Sequence, residues 1–142
     1  MTPSEERRPE ITVGLVATPP DHPARVAARL TQELADQLVD RVDANVRWTV
    51  RAGWGDVAPR RDGGVDALLD DVAQRSADER WDVAICLTDL PLHAERVPLV
   101  AQTSARRQVA VVSLPALGLC QLQAVRTVVP DLVSRLLTDM GD

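Results

Sequence analysis

One stretch decides the fold: "ITVGLVATPPDHPARVAARLTQELADQLVDRVDANVRWTVRA" (Ile11–Ala52). It opens with the apolar run ITVGLVA, which is typical of a strand buried on both faces. In its middle, Leu30, Leu34 and Leu38 recur every four residues and predict one helix of about five turns. Its end, NVRWTVRA, alternates apolar and polar residues and predicts a strand with one wet face, near a sheet edge. A strand–helix–strand unit predicts parallel strands joined by a right-handed crossover.

The rest of the chain continues this alternation and then changes. The spacing of Val65, Leu68, Leu69 and Val72 predicts a second helix, and WDVAICLT (Trp81–Thr88) predicts a third buried strand. Two further apolar segments, VPLVAQT and QVAVVSL, are separated only by SARR, which is short enough for a hairpin.

The last helix carries an apolar side that includes Leu132, Val133 and Leu136, and we expect it to be core. The alternative is that this side attaches to a membrane segment or to a second subunit. Pro130 cannot donate a backbone hydrogen bond, so it should kink this helix or split it in two. The order β-α-β-α-β-β-β-α predicts an α/β three-layer sandwich. Its sheet is mixed, mostly parallel and five-stranded, with a terminal hairpin and three main helices. Residues 1–9 read as a disordered tail, and residues 10–142 as a single α/β domain.

Composition excludes several classes of function. The chain has 142 residues, 45% of them apolar, with no Phe or Tyr, so its core must be built from Val, Leu and Ala. All 16 basic residues are Arg, a bias that indicates a GC-rich genome. The net charge is −5 and the charges are interspersed, whereas a nucleic-acid-binding protein needs a basic stripe with stacking aromatics. We therefore expect no nucleic-acid partner.

The sequence also predicts where the protein resides. Its start, MTPSEERRPE, has no apolar signal-peptide run, and no apolar segment approaches the roughly 18 residues needed to cross a membrane. These features favour a cytoplasmic protein. Cys86 and Cys120 lie in apolar surroundings and should be reduced, buried thiols.

Ligands of parallel sheets usually bind beyond the carboxyl ends of the strands. The loops predicted there hold both histidines of the chain. The candidate ligand-binding residues are Asp21, His22, Trp54, Thr88, Asp89 and His93. A purely structural alternative is that Asp21 caps a helix and Asp89 forms a turn before Pro91. No catalytic residue is assigned.

Familiar catalytic and cofactor motifs are missing. Without Lys there is no Walker A lysine, no Schiff-base lysine and no receiver-type phosphorylation site. The segment after the first strand has one Gly where a dinucleotide fingerprint needs three. The final helix contains no His and no Glu, so it cannot hold zinc in the usual way. We expect no cofactor and no metal.

The pattern over residues 81–137, with its hairpin ending in VAVVSL followed by a helix, resembles the amino-terminal part of metzincin-type metallopeptidases, particularly archaemetzincin-like ones. Where that family carries its H-E-x-x-H motif, this chain has Gln121, Gln123, Ala124 and Val125. The resemblance therefore implies the fold without its metal site.

A second resemblance covers AICLTDLPLHAERVPLVAQTSARRQVAVVSLPALG (Ala84–Gly118), above all its D-L-P-L segment, its hairpin and S-L-P-A-L-G. This segment is similar to the soluble amino-terminal region of uncharacterised actinobacterial proteins that continue into membrane helices. It implies a domain on the cytoplasmic face of a membrane, in a longer polypeptide.

Two functional hypotheses remain open. The first is a non-catalytic domain that binds a protein partner or a small ligand. The second is a hydrolase or transferase with its site at the carboxyl ends of the strands, or a degenerate metallopeptidase-like domain without metal. An enzyme needs His22 or His93 within hydrogen-bonding distance of a hydroxyl or carboxylate in one pocket, whereas a binding domain does not.

Overall fold

The computed structural model describes residues 9–18, 22–54, 64–89, 92–94, 97–99, 101–117 and 121–141. The strands are β1 (Glu10–Thr18), β2 (Arg47–Trp54), β3 (Val83–Thr88), β4 (Leu92–Ala94), β5 (Val97–Leu99), β6 (Ala101–Ser104) and β7 (Val109–Ser113). The helices are α1 (His22–Thr31), α2 (Leu34–Arg41), α3 (Gly64–Glu79) and α4 (Gln121–Gly141), with a 3₁₀ turn at Pro115–Leu117.

Five strands form one mixed sheet in the order β2-β1-β3-β7-β6. All neighbours are parallel except β6, which runs antiparallel to β7. The predicted mostly parallel five-stranded sheet with a terminal hairpin is therefore confirmed. β2 is an edge strand, as its alternating pattern predicts, with Val46 and Trp48 buried and Arg47 and Arg51 exposed.

The segment VPLVAQT is not one strand. Its first part is β5, which pairs antiparallel with β4 in a separate two-stranded sheet. Only β6 pairs with β7, and Gln108 closes the turn between them with a positive φ of 57°. The predicted strand divides because its two halves hydrogen-bond to different partners.

The first helical segment is broken rather than continuous. At the break, Gln32 N donates to Arg29 O (3.3 Å) and Glu33 N donates to Leu30 O (3.1 Å). These bonds reach three residues back, as in a 3₁₀ turn, instead of four. The Thr31 hydroxyl also bonds the Ala27 carbonyl at 2.7 Å, a contact that competes with regular helical bonding. The leucine stripe still points inward, since Leu30, Leu34 and Leu38 are fully buried.

Helix α4 is not split by its proline, and the structure corrects that alternative. It runs without interruption from Gln121 to Gly141 with Pro130 inside it. Pro130 has no N–H to offer to the carbonyl of Arg126, four residues earlier. That carbonyl instead accepts a hydrogen bond from Nη1 of Arg41 (2.8 Å), at the end of α2. A side chain of the neighbouring helix thus satisfies the group that the proline leaves unpaired.

Helices cover the two faces of the sheet unequally. The helix-rich face packs against α1, α2 and α4, and its core includes Leu15, Ile85 and Val112. The single-helix face packs against α3, and its smaller core includes Cys86, Val111 and Leu69. The layers are therefore helices, sheet and helix, which is the predicted three-layer α/β sandwich.

The stripe of α4 is core, because Leu132, Val133 and Leu136 all belong to the cluster on the helix-rich face. In the described part of the chain, no helix is long and apolar enough to cross a membrane. Residues 1–8 of the predicted tail lie outside the described residues. Pro9 is described, and its carbonyl accepts a hydrogen bond from Arg47 N (2.9 Å).

Candidate functional site

Three adjacent strands end in a hydroxyl residue. β1 ends at Thr18, β3 at Thr88 and β7 at Ser113. The strands are in register there, so that Thr18 is paired with Thr88 and Thr88 with Ser113. We call these three residues the hydroxyl row. Neighbouring strands lie about 4.8 Å apart, so the row is roughly 10 Å long.

The hydroxyl row is buried to an unusual extent for polar residues. Thr18, Thr88 and Ser113 are each 0% exposed, and the only other buried polar residue in the described part of the chain is Ser76. Each member of the row also takes part in an interaction within the chain. Because successive side chains of a strand alternate between faces, the row lies on the single-helix face, together with Cys86.

The row coincides with the point where the connections of the sheet diverge. After β1 the chain passes through α1 and α2 to β2, on one side. After β3 it next enters this sheet at β6, beyond β7 on the other side. Thr18 and Thr88 therefore end the two strands that flank the topological switch point, where α/β sheets leave a crevice for ligands.

Helix α3 also begins near this edge. β2 runs parallel to β1, so both strands end at the carboxyl edge of the sheet. Helix α3 follows β2, packs on β3 and β7, and leads to the start of β3 at the amino edge. Hence the first turn of α3 and the hydroxyl row share one edge and one face of the sheet. The N–H groups of a helix's first turn carry partial positive charge, which favours anionic or hydrogen-bond-accepting groups nearby.

Two of the six predicted site residues are described with their side chains. Thr88 belongs to the hydroxyl row, and the half-buried Asp89 follows it directly. Trp54 ends β2 opposite Ala17, and His22 is the first residue of α1. These positions put Trp54 and His22 at or next to the carboxyl edge, although their side chains lie outside the described part.

The remaining predicted residues, Asp21 and His93, are not described well enough to relate their side chains to the row. His93 is in β4, opposite Pro98, in the small separate sheet, and its side chain is not described. Asp21 lies outside the described residues altogether. The predicted capping role of Asp21 and any approach of the two histidines to each other stay predictions.

The sequence interpretation missed Thr18 and Ser113. A signal was available, because each is the polar residue that ends a buried apolar run: ITVGLVAT and VAVVS. Parallel neighbouring strands that end in the same residue class bring those residues together at one edge. The sequence interpretation instead based the candidate site mainly on histidines and carboxylates of the loops.

Zinc does not fit the helix that follows the hairpin. At the start of α4, Gln123 is exposed, Ala124 is half-buried and Val125 is fully buried. None of these side chains is a usual zinc ligand, and neither histidine of the chain is in this helix. Within the described ranges, no three His, Cys, Asp or Glu residues come close enough together to hold an ion.

Cys86 is a poor candidate for a nucleophile. It lies in the middle of β3 and is fully buried. Burial strongly raises the pKa of its thiol, because the apolar surroundings disfavour the thiolate. Since the thiolate is the reactive form, Cys86 acts as a small apolar core residue.

Comparison with known proteins supports the fold. No protein-family model matches the chain, and no curated protein matches it. Among solved structures, the chain is similar to archaemetzincin from Methanopyrus kandleri, with a TM-score of 0.53 and 20% sequence identity. The match covers 95% of this chain and 73% of that one. The predicted resemblance to archaemetzincin-like proteins is therefore confirmed for the fold, whereas the resemblance to membrane-linked actinobacterial proteins stays a prediction.

Proposed function

We propose that this protein is a non-catalytic binding domain built on an archaemetzincin-like fold, and that it binds a small polar ligand at the carboxyl edge of its sheet. The observation that carries this proposal is the hydroxyl row, Thr18, Thr88 and Ser113, in register beside the topological switch point. Hydroxyls can both donate and accept hydrogen bonds, so such a row suits a ligand with several polar atoms.

Burial supports this choice of edge. A buried hydroxyl costs free energy unless it is hydrogen-bonded, and the amino ends of these strands carry no comparable row in the described residues. Placing three hydroxyls side by side gives a local polar network inside an otherwise apolar layer. A polar ligand seated at the crevice can extend that network, whereas an apolar ligand cannot.

The chemistry of the chain supports a non-catalytic role. A zinc peptidase needs metal ligands on the helix after the hairpin, and Gln121, Gln123, Ala124 and Val125 do not supply them. The chain offers no lysine, and the Cys86 thiol is held neutral by burial. The common routes to an activated nucleophile or a metal-bound water are thus missing from these positions.

One observation favours a second candidate function, a hydrolase or transferase. Asp89 directly follows Thr88 and is half-buried, so a carboxylate is next in sequence to a buried hydroxyl at the switch point. If His22 or His93 also reaches this pair, the three groups form a nucleophile, a base and an orienting carboxylate. A protein partner, instead of a small ligand, is a third possible occupant of the same edge.

A ligand screen followed by two-dimensional NMR tests the binding proposal. We expect polar fragments to shift the amide resonances of Thr18, Thr88 and Ser113, and Thr88→Val to abolish those shifts because it removes one hydroxyl. Ser76→Ala is the matched control, since Ser76 is a buried hydroxyl away from this edge. Fragments that shift only other regions, or that bind Thr88→Val unchanged, contradict the proposal.

Elemental analysis tests the metal-free part of the proposal. With no third histidine and no suitable ligand spacing, the purified protein should contain no stoichiometric zinc. A content of about one zinc per chain, lost in His93→Ala, contradicts this expectation. Turnover of ester or phosphoester substrates that is lost in Thr88→Val supports the enzymatic candidate instead.

We further propose that the domain works in the cytoplasm. If its gene encodes a longer polypeptide with membrane helices, the domain lies on the cytoplasmic face of that membrane. The basis is the resemblance to membrane-linked actinobacterial proteins that the sequence of residues 84–118 predicts. Fractionation of cells that express the native gene tests this: the protein should appear in the cytosolic or membrane fraction and never in the exported fraction.

A further inference from the structure

A groove of about 370 Å³ lies on the single-helix face, toward the amino ends of β1 and β2. It exists because α3 packs on β3 and β7 and leaves the neighbouring part of the sheet without a helix. Its lining includes Glu10, Arg51, Arg75, Glu79, Arg80 and Trp81. We call it the arginine groove.

The indole of Trp81 lies directly on the backbone of the sheet. A Cβ atom built on Gly14 of β1 falls 2.0 Å from Cε3 of Trp81, so only glycine leaves room for the ring. A Cβ built on Gly53 of β2 falls 3.2 Å from Cη2 of the same ring. The indole therefore reaches from β1 to β2. Trp81 is only half-buried, which leaves part of the ring in the lining of the groove.

Of the two carboxylates in the lining of the arginine groove, Glu79 is paired with an arginine, whereas Glu10 has a neutral hydroxyl as its partner and keeps its charge. Oε1 of Glu79 lies 3.4 Å from Nε of Arg75, and Oε1 of Glu10 accepts a hydrogen bond from the Thr49 hydroxyl (3.3 Å). Arg51 and Arg80, by contrast, have no carboxylate partner among the residues that the structure describes. Arg51 is paired with Gly14 across the two strands, so its backbone lies beside the indole.

Arg80 adopts a backbone conformation that normally favours glycine. It follows the last residue of α3 and has a φ of 61°, in the left-handed region that glycine occupies without strain. Trp81 N then donates to Ser76 O (2.9 Å), which closes the helix end. A glycine at position 80 would close the helix with less strain but would supply no guanidinium to the groove.

We propose that the arginine groove binds a small anionic ligand that combines a planar ring with a carboxylate or a phosphate, joined to the ring directly or through a sugar. Arg51 and Arg80 hold the anionic group, because guanidinium groups match the oxygen pairs of carboxylates and phosphates. The ring packs against the indole of Trp81. Arg51 is in register with Gly14, which is four residues from Thr18 along β1, or about 13 Å, so this site is separate from the hydroxyl row.

Titrations with three probes test the proposal: adenosine monophosphate, benzoate and uncharged adenosine. We expect at least one anion to bind saturably, to shift the indole N–H resonance of Trp81, and to bind more weakly as salt is added. Binding of the nucleotide alone identifies a phosphate ligand, and binding of benzoate alone identifies a carboxylate. The proposal is overturned if neither anion shifts the Trp81 resonance, or if adenosine binds as tightly as adenosine monophosphate.

Three variants separate binding from folding. Arg51→Gln and Arg80→Gly should each weaken anion binding about tenfold, by removing one charge-assisted hydrogen-bond donor. Arg80→Gly should also raise the melting temperature, because glycine relieves the strained backbone. Arg135→Gln is the control. It removes one positive charge from an exposed side chain of α4, on the other face of the sheet, and should leave binding unchanged. If the Arg80→Gly variant has a higher melting temperature and binds the anion with unchanged affinity, the Arg80 side chain does not contact the ligand and the proposal fails.

Discussion

The two faces of the sheet differ in what covers them and in which residues they carry. The helix-rich face packs against three helices and buries a large continuous cluster of Val, Leu and Ala side chains around a single Trp. Among the described helices, α3 is the one that packs on the single-helix face, which buries a much smaller cluster. Both the hydroxyl row and the arginine groove belong to the second face.

The difference indicates that one face of the sheet mainly stabilises the fold and the other mainly binds ligands. A face that packs against three helices mainly stabilises the fold. A face that is covered by one helix leaves a groove beside that helix and a polar row at its end. We therefore expect substitutions on the helix-rich face to change mainly stability, and substitutions on the single-helix face to change mainly binding.

The largest expected effect tests this division directly. Leu132→Ala, on the helix-rich face, should lower the free energy of unfolding by about 2–5 kcal/mol, as truncations of buried leucines do. Leu69→Ala, on α3, should fall at the lower end of that range, because Leu69 belongs to the smaller of the two buried clusters. Urea unfolding followed by circular dichroism measures both.

Arg135→Ala is the control for the leucine pair. Its side chain is 71% exposed and is paired with the exposed Asp131, so its effect should stay within about 0.5 kcal/mol. If Leu69→Ala proves more destabilising than Leu132→Ala, the single-helix face contributes more to stability than its smaller cluster suggests, and the comparison is wrong.

A smaller effect should follow from filling the space that Gly14 leaves for Trp81. Gly14→Ala should cost about 1–3 kcal/mol, because the new methyl group overlaps the indole and forces it to move. In a Trp81→Ala background the same change should cost little, since the overlapping ring is gone. A double-mutant cycle on thermal unfolding measures this coupling.

Gly53→Ala is the matched control for that substitution. Its Cβ would meet the end of the flexible Arg75 side chain at 3.1 Å and Cη2 of Trp81 at 3.2 Å, so the neighbours need to give way far less than the 2.0 Å approach at Gly14 demands. We expect a clearly smaller loss of stability than at Gly14. Equal losses of stability at both positions would mean that Gly14 is needed for its backbone conformation and not for the space that it leaves to the indole.

The smallest of the three effects concerns the proline in α4. Arg41→Ala should lower the free energy of unfolding by about 0.5–1.5 kcal/mol, since it removes the donor to the Arg126 carbonyl. Pro130→Ala supplies a helical N–H for that carbonyl, so Arg41→Ala should have almost no effect in that background. An unchanged cost there would show that Arg41 stabilises the protein by another contact.

Much of the fold could be predicted from the sequence, because the spacing of apolar residues indicates which side of a strand or helix is buried. ITVGLVA and WDVAICLT became central parallel strands, and the alternation around Trp48 gave an edge strand. The break after Thr31 could not be predicted in this way, since the leucine stripe continues through it and only local hydrogen bonds change. The fate of Pro130 depended on Arg41, which approaches only in the folded chain.

The candidate sites were less predictable, because they depend on which residues are neighbours across the sheet. Thr88 could be singled out as the end of a strand, but its pairing with Thr18 and Ser113 follows from strand order. The arginine groove depends on Trp81 crossing Gly14, a contact that no local pattern records. Our sequence interpretation treated Trp81 simply as the start of a strand.

The link between α2 and α4 has a consequence for how the protein is made. Arg126 of α4 forms an ion pair with Glu33, 93 residues earlier, while its carbonyl accepts the bond from Arg41, 85 residues earlier. A ribosome synthesises the early strands and helices several seconds before it reaches α4, at about 5–20 residues per second. Throughout that interval the helix-rich face lacks one of its three helices. The nascent chain therefore exposes its most apolar surface until its final helix emerges, and this is the period in which chaperones and aggregation compete for it.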